Sequence, residues 1–464
     1  MPATVATDLA YLGIAEAGTL FREKKLSPVE LTQFHLDRIA ALNPTLRAYI
    51  TVTGDIALEQ AKAAELAIQA GDSRPLLGIP MAHKDIYTTA GIRTTGGSAV
   101  YEHWIPSITA ATITKLHDEA GAVNLGKLST HEFAYGLSDE NHPFPPARNP
   151  WNLDHIPGGS SSGSGAAIVS GMVMAATGSD TGGSIRGPGA FCGIAGLKPT
   201  YGRCSRAGVL TLSWSLDHTG PMARTTEDVA LMLGGMAGYD PQDPGSAAVP
   251  VGDYTATLKS GVKGMRMGLL RSWYEKTAEP EMIAAMNEAV KTLQGLGAEV
   301  VDIEIPHMDM IPSIMLILTA EAYAYHAATL KATPHLYPDL LRHKILAGGL
   351  FSAEEYINAQ RVRQMLKQAT LNALKDVDVL LSPTKGGSAT SFAESYELTN
   401  KQPSYTQFGN MTGLPALTIS CGFDSKHLPL GLQIMGRPFE EATVLQAGYA
   451  YEQEAGWYKQ HPSI

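Results

Sequence analysis

An α/β fold, with one large mixed, mostly parallel twisted sheet covered on both faces by helices, is what this 464-residue sequence predicts. Three observations carry the prediction. Short apolar runs closed by Gly, Pro or Asp alternate with segments of helical periodicity. The stretch "MRMGLL", a helix from Pro280 and "AEVVDIEIP" follow one another as strand, helix and strand, the βαβ order. The chain is too long for a usual single small core, yet no composition break or repeat divides it, so residues 71–464 are expected to form one compact domain with 1–70 packed on it as a helical region.

The elements follow in order. In "LSPVELTQFHLDRIAALNP", Ser27 is an N-cap, Pro28 fits the first helical position and Glu30 completes a capping box; Leu31, Phe34, Ile39 and Leu42 mark one face until Pro44 ends the helix. A second, Ala-rich helix spans about Ile56 to Ala70. Strand-like runs then appear in "LLGIPMAHKDIYTT", "AVNLGKL", "AAIVSGMVMAATGSD" and "GVLTLSWSLDHTGPM". Residues 311–375 read as mostly helical, and "VDVLLSPT", "PALTISCGF" and "LGLQIMG" as further strands.

Composition removes several function classes. The net charge is −10 and no Lys/Arg-rich run occurs, which leaves no electrostatic footprint for nucleic acid or an anionic membrane. Cys192, Cys204 and Cys421 lie far apart without CxxC spacing, which argues against a disulfide framework and a zinc site and suits a reducing cytoplasm. No run of about 18 apolar residues is present, and the first residues lack a basic, then apolar, export pattern.

Among short motifs, Gly121-x4-Gly126-Lys127 has Leu128 where a phosphate loop needs Ser or Thr. The "GSSSG" around Ser161 formally matches a nucleophile elbow but follows the loop residues Pro157-Gly158-Gly159, and "SGVK" (Ser260–Lys263) lacks its partner motifs. More informative is "GSDTGGSIRGPGAFCG", Gly178–Gly193. Gly182 and Gly183 free the backbone and uncover its N–H groups, and such a row ahead of a helix start is an anion-binding nest. Acyl transfer needs such donors, a nucleophile, for which Ser184 is placed, and a base. Lys84, closing an apolar run in "GIPMAHKD", can serve as base if burial holds it neutral.

Taken together, "GIPMAHKD", "PGGSSSGSGAA", "GSDTGGSIRGPGAFCGIAGLKPTYGRCSRAGV", "LSWSLDHTGPMART" and the C-terminal "LPLGLQIMGRPFEEATVLQAGYAYEQ" resemble the amidase signature family of serine hydrolases over most of the chain. The resemblance implies the amidase signature fold and a Ser-cisSer-Lys triad: Ser184 as nucleophile, Ser160, 24 positions earlier and preceded by a cis peptide, as the bridging serine, and Lys84 as base. It further implies an oxyanion hole from the N–H groups of Thr181, Gly182, Gly183 and Ser184, with Ser161, Asp180 and Arg186 in support. Ala134, Tyr135, Gly136 and Ile185 are the expected substrate contacts, joined by Met315, Tyr323, Tyr325, Phe351 and Phe408 from the variable region 311–410. No metal or organic cofactor is implied; the expected partner is a small-molecule amide or carbamate substrate, the expected assembly a monomer or homodimer.

Within the family the chain also resembles the glutamine-hydrolysing component of glutamyl-tRNA amidotransferase, which passes ammonia to a partner protein. "LTAEAYAYHAATLKATPHLYPDLL" lacks the "SNLARFDG"-like run of those components, and "KLSTHEFAYG" replaces their "TNMDEFAMG". Apolar or aryl amides and carbamates are therefore the first expectation, glutamine the alternative. A lysine base also predicts an activity optimum in the alkaline range.

Overall fold

The computed structural model describes residues 9–136, 140, 142–398 and 402–464. Its strands form one sheet of eleven in the order β1-β3-β2-β4-β6-β5-β10-β11-β9-β7-β8. These are β1 Tyr49–Val52, β2 Pro80–Lys84, β3 Val123–Leu128, β4 Ala175–Asp180, β5 Ala195–Lys198 and β6 His218–Ala223, then β7 Arg266–Leu269, β8 Glu299–Asp302, β9 Val379–Pro383, β10 Ala416–Phe423 and β11 Pro429–Gly436.

Side-chain alternation sends successive strand residues to opposite faces, and each face carries its own core. Met81 of β2 and Ala175 of β4 join the core that includes Val229, Leu233, Met282 and Met286 from helices Thr226–Met236 and Pro280–Gly295. Their neighbours Ala82 and Ala176 join a second core with Ile39, Ala57, Ala61 and Ile168 from helices Pro28–Leu46, Gly54–Gln69 and Ser162–Val169. Further along that face Leu380 and Met435 pack with Ile317 and Leu366 of helices Leu316–Ala332 and Ala353–Ala373.

The mixed sheet matches the expectation, with a different balance of ladders. Pairs β2/β3, β2/β4, β7/β8 and β7/β9 are parallel, but β1/β3, β4/β6, β5/β6, β5/β10, β10/β11 and β9/β11 are antiparallel. The βαβ crossovers are confined to the two wings. Between β10 and β11 only residues 424–428 intervene, too few for a crossover, and the two strands close as a hairpin.

Three local expectations are corrected. Residues 1–70 are not only helical: β1 pairs with β3 at the sheet edge, and the four-residue strand is too short to show a period-2 signal. The capped helix at Ser27 forms both capping-box bonds but runs through Pro44 to Leu46, stopping at Arg47 in the left-handed region. In "GVLTLSWSLDHTGPM" only the end, from His218, is strand; the apolar residues before it line a cavity.

Candidate active site

Strands β2 and β4 run parallel, so their C-terminal ends meet at one edge of the sheet, the usual place for a site in α/β folds. Lys84 is the last residue of β2, and Ser179 and Asp180 are the last two of β4. Ser160 lies just ahead of helix Ser162–Val169, which connects β3 to β4, and Ser184 lies between β4 and helix Arg186–Cys192. Residues about 100 positions apart in sequence are thereby gathered at one end of the sheet.

Lys84 is fully buried, and a hydrogen bond of 2.6 Å joins its Nζ to Ser160 Oγ. The same Nζ donates to Ser179 Oγ at 2.8 Å. Burial outweighs the opposing charges of Asp180 and Asp217 and lowers the Lys84 ammonium to a pKa of about 7. A neutral amine is thus accessible near neutral pH, below the alkaline range expected from the sequence.

The Gly159–Ser160 peptide is cis. Gly159 has no alternative residue here, since a Cβ would fall 2.0 Å from His131 Cε1. The Ser160 carbonyl accepts from the His131 amide at 3.1 Å. Burial, then the charges of Lys84 and Lys344, lower the His131 imidazole to about 4, which keeps it neutral beside the lysine. Ser161 donates its N–H to the Ser184 carbonyl at 3.2 Å and exchanges two long contacts of 3.4 Å with the Ser179 backbone. Ser184 itself is half-buried, whereas Lys84 and Ser160 are buried.

Asp180 organises the loop. Its carboxylate accepts from the amides of Gly183 (2.8 Å), Ile185 (3.1 Å) and Arg186 (3.3 Å) and from the Arg186 guanidinium at 2.8 and 3.0 Å. Burial alone would raise this carboxyl, but the Arg186 charge and hydrogen bonds, with Lys198 and Asn410, hold it well below the usual carboxylate range. Arg186 is satisfied in turn by Thr406 O, Gln433 Oε1 and Asn410 Oδ1 at 2.6–2.7 Å. A fully buried guanidinium with all these partners is a structural hub and not a substrate handle.

One expected donor is already committed. Because Gly183 N–H points at Asp180, the amides of Thr181, Gly182 and Ser184 are those left without an acceptor among the described residues. Gly183 has φ +127°, and a Cβ there would meet Thr406 Oγ1 at 2.1 Å; at Gly182 the nearest atom stands at 3.9 Å. The first glycine is required by the fold, the second by open space.

A cavity of about 190 Å³ is lined by Ser179, Thr181, Ala134, Leu210, Leu212 and Asp217, and a second, of about 260 Å³, by Gly159 and Gly182. Of the expected substrate contacts, Ala134 lines the first. Tyr135 is half-buried, its hydroxyl 3.1 Å from Thr319 Oγ1 and its ring covered by Lys344. Gly136 is buried in a turn whose amide donates to Glu132 O. Ile185 is a correction: it is fully buried, its side chain filling the space over the strand glycines 178, 196 and 220, so it is core. Phe408 is likewise core, edge-on to Trp273, while Tyr325 and Phe351 are exposed and Tyr323 packs over Gly348 and Gly349. Met315 does reach the loop, its Cε nearest to Gly182.

Several residues escape sequence reasoning. Ser179 is an ordinary strand serine until the pairing of β4 with β2 sets it against Lys84. Asp217 accepts from Thr181 Oγ1 at 2.6 Å and from the amides of Leu212 and Ser213; burial raises it to about 6 despite those bonds. A lone acid after the apolar "LSWSL" was the available signal. Thr406, Asn410 and Gln433 lie over 200 residues from Arg186 and carry none.

A family model described as Amidase matches residues 30–445. The glutamine-hydrolysing component of the glutamyl-tRNA(Gln) amidotransferase of Geobacter metallireducens is 42% identical across 98% of this chain and all of its own length. Among solved structures, the peptide amidase of Stenotrophomonas maltophilia superposes with a TM-score of 0.84 at 31% identity over 96% of this chain and 97% of that one. A bacterial aryl acylamidase of the amidase signature enzymes does so with a TM-score of 0.87 at 26% identity over 97% and 98%.

Proposed function

The chain belongs to the amidase signature family, an enzyme family that hydrolyses amide C–N bonds, and from that premise we propose that Lys84, Ser160 and Ser184 are its catalytic triad. The observation that carries this reading is the buried 2.6 Å contact between Lys84 Nζ and Ser160 Oγ. A neutral lysine directs one N–H at Ser179 Oγ and keeps its lone pair for the Ser160 hydroxyl. Ser160 then takes the proton of Ser184 Oγ as that oxygen attacks the carbonyl carbon. The oxyanion forms against the open amides of Thr181, Gly182 and Ser184, each such donor being worth about 3 kcal/mol. The proton returns through Ser160 to the leaving nitrogen, the C–N bond breaks, and water releases the acid from Ser184 by the same steps.

For the substrate, kinship favours glutamine: relatives named as components of glutamyl-tRNA(Gln) amidotransferase match this chain end to end at 38–42% identity. On that reading the chain works beside the other components of an amidotransferase. The cavity walls favour a second reading, an apolar or aryl amide or carbamate, because Leu210, Leu212 and the exposed Trp214 stand beside Thr181. One panel separates them: glutamine, a fatty amide, an anilide and an aryl carbamate, each with wild type and Ser184→Ala. Glutamate release supports the first reading, and cleavage of the anilide or carbamate with glutamine untouched supports the second. Turnover that survives Ser184→Ala removes the proposed triad.

A further inference from the structure

The second cavity, beside Gly159 and Gly182, contains a cation that the triad does not use. Lys385 follows β9 by two residues, lays its stem across Gly187 and lines this space with Ser404, Gln407 and Phe191. Its Nζ donates to Ser404 Oγ at 2.9 Å. The direction of the hydrogen bonds beyond is fixed: Thr406 Oγ1 donates to the Gly182 carbonyl at 2.7 Å, so its contact of 2.9 Å with Ser404 Oγ must be donated by Ser404. Ser404 therefore accepts from Lys385 and has no hydrogen left to offer. An ammonium has three donors, and one is spent. The ion pair of this region is closed between Arg186 and Asp180, and among the described residues no carboxylate pairs with Lys385.

We propose that Lys385 anchors a carboxylate carried by the amide substrate, with its two free N–H groups directed into the cavity that adjoins the oxyanion loop. Amides bearing an acid are thus the substrate class of this enzyme, a deepening that rests on the amide-hydrolase reading above. Burial and the nearby Arg186 charge lower Lys385 to about 8, so the ammonium prevails at neutral pH, and an incoming anion offsets both effects. Glycines at 159 and 182 leave the acid room to lie against the loop that holds the reacting carbonyl.

The acid can sit in the acyl chain or in the leaving amine, and two substrate pairs tell these apart. ω-Amido carboxylates from malonamate to adipamate, against the matching diamides, place it in the acyl chain; 4-acetamidobenzoate against acetanilide places it in the amine. With the full-length protein, one pair shows a kcat/KM preference for the acid-bearing member. Lys385→Gln lowers that ratio by about tenfold or more, the usual yield of a charged hydrogen bond, and Lys385→Arg keeps most of it. Equal losses on acid-bearing and neutral amides in Lys385→Gln would mark a lysine that only braces Gly182 through Ser404 and Thr406, and overturn the proposal. So would a wild type without acid preference in either pair. Calorimetric titration of the same acids into Ser184→Ala reads the site without turnover. Acids that bind there and weaken by about tenfold on adding Lys385→Gln support it even if no amide is cleaved. Amides cleaved regardless of charge sink the carboxylate site and leave the hydrolase standing.

Discussion

Lys84 works as a base only while it is neutral, and its burial has consequences for rate and for stability. The limb of kcat/KM should rise with pH through about 7, and Lys84→Met should abolish both the rate and the limb. A limb that persists in the variant would mean a different base. Stability carries the opposite sign of benefit. Between pH about 7 and the ordinary value of 10.5 the unfolded chain binds a proton at Lys84 that the folded chain does not, so wild-type stability gains with rising pH across that window. Lys84→Met removes the slope: its Tm should equal or exceed wild type at pH 7, with the gap narrowing toward pH 10. A variant that unfolds earlier at pH 7 would show that the bonds to Ser160 and Ser179 outweigh the cost of burying the amine. At the serines, Ser184→Ala should cost at least about ten-thousand-fold in kcat, Ser160→Ala roughly a hundredfold or more, and Ser161→Ala about tenfold. The last figure is smallest because Ser161 makes only long contacts with Ser179 and supports Ser184 through its backbone. Reversed severities for Ser160 and Ser161 would favour the nucleophile-elbow reading.

The loop between β4 and helix Arg186–Cys192 is an element whose shape is held from outside. Its two glycines serve different ends, and substitutions separate them. Gly183→Ala forces a Cβ into Thr406 at positive φ, and should destabilise the protein by about 2 to 4 kcal/mol. Gly182→Ala meets nothing closer than Met315 at 3.9 Å and should leave Tm nearly unchanged while lowering kcat/KM, because its methyl enters the cavity. Thermal melts beside kinetics test the pair, and equal loss of stability in both would refute the division. How much of this was legible is plain from the residues. Gly182 and Gly183 look alike in sequence, and so do their amides; that one amide faces Asp180 and the other does not depends on backbone torsions that no spacing encodes. Ile185 illustrates the same limit, since its neighbour Ser184 faces the opening while the isoleucine turns into the strand glycines.

At the scale of the whole molecule the N-terminal residues are part of the sheet. β1 closes the edge against β3, and the Ile14 amide donates to Asp228 at 2.7 Å across the first core. We expect a single cooperative thermal transition. Deletion of residues 1–53 uncovers β3 and part of both cores, and should give insoluble protein. Recovery of a soluble, active 54–464 fragment would instead make the first residues a separable domain. No helix among the described residues is long and apolar enough to cross a membrane.

By itself, the sequence determined the fold class, the positions of most strands, and the three side chains proposed for the chemistry, because glycine-rich turns, apolar runs and a lysine at a strand end are local facts. Only the tertiary structure decided the rest. Strand pairing is a long-range choice, so the antiparallel centre, the place of β1 and the contact of Ser179 with Lys84 could not be read in advance. Arg186 drew its partners from residues more than 200 positions away. The pKa of Lys84 was likewise a property of the folded interior, since desolvation depends on what surrounds a group in space and not on what precedes it in the chain.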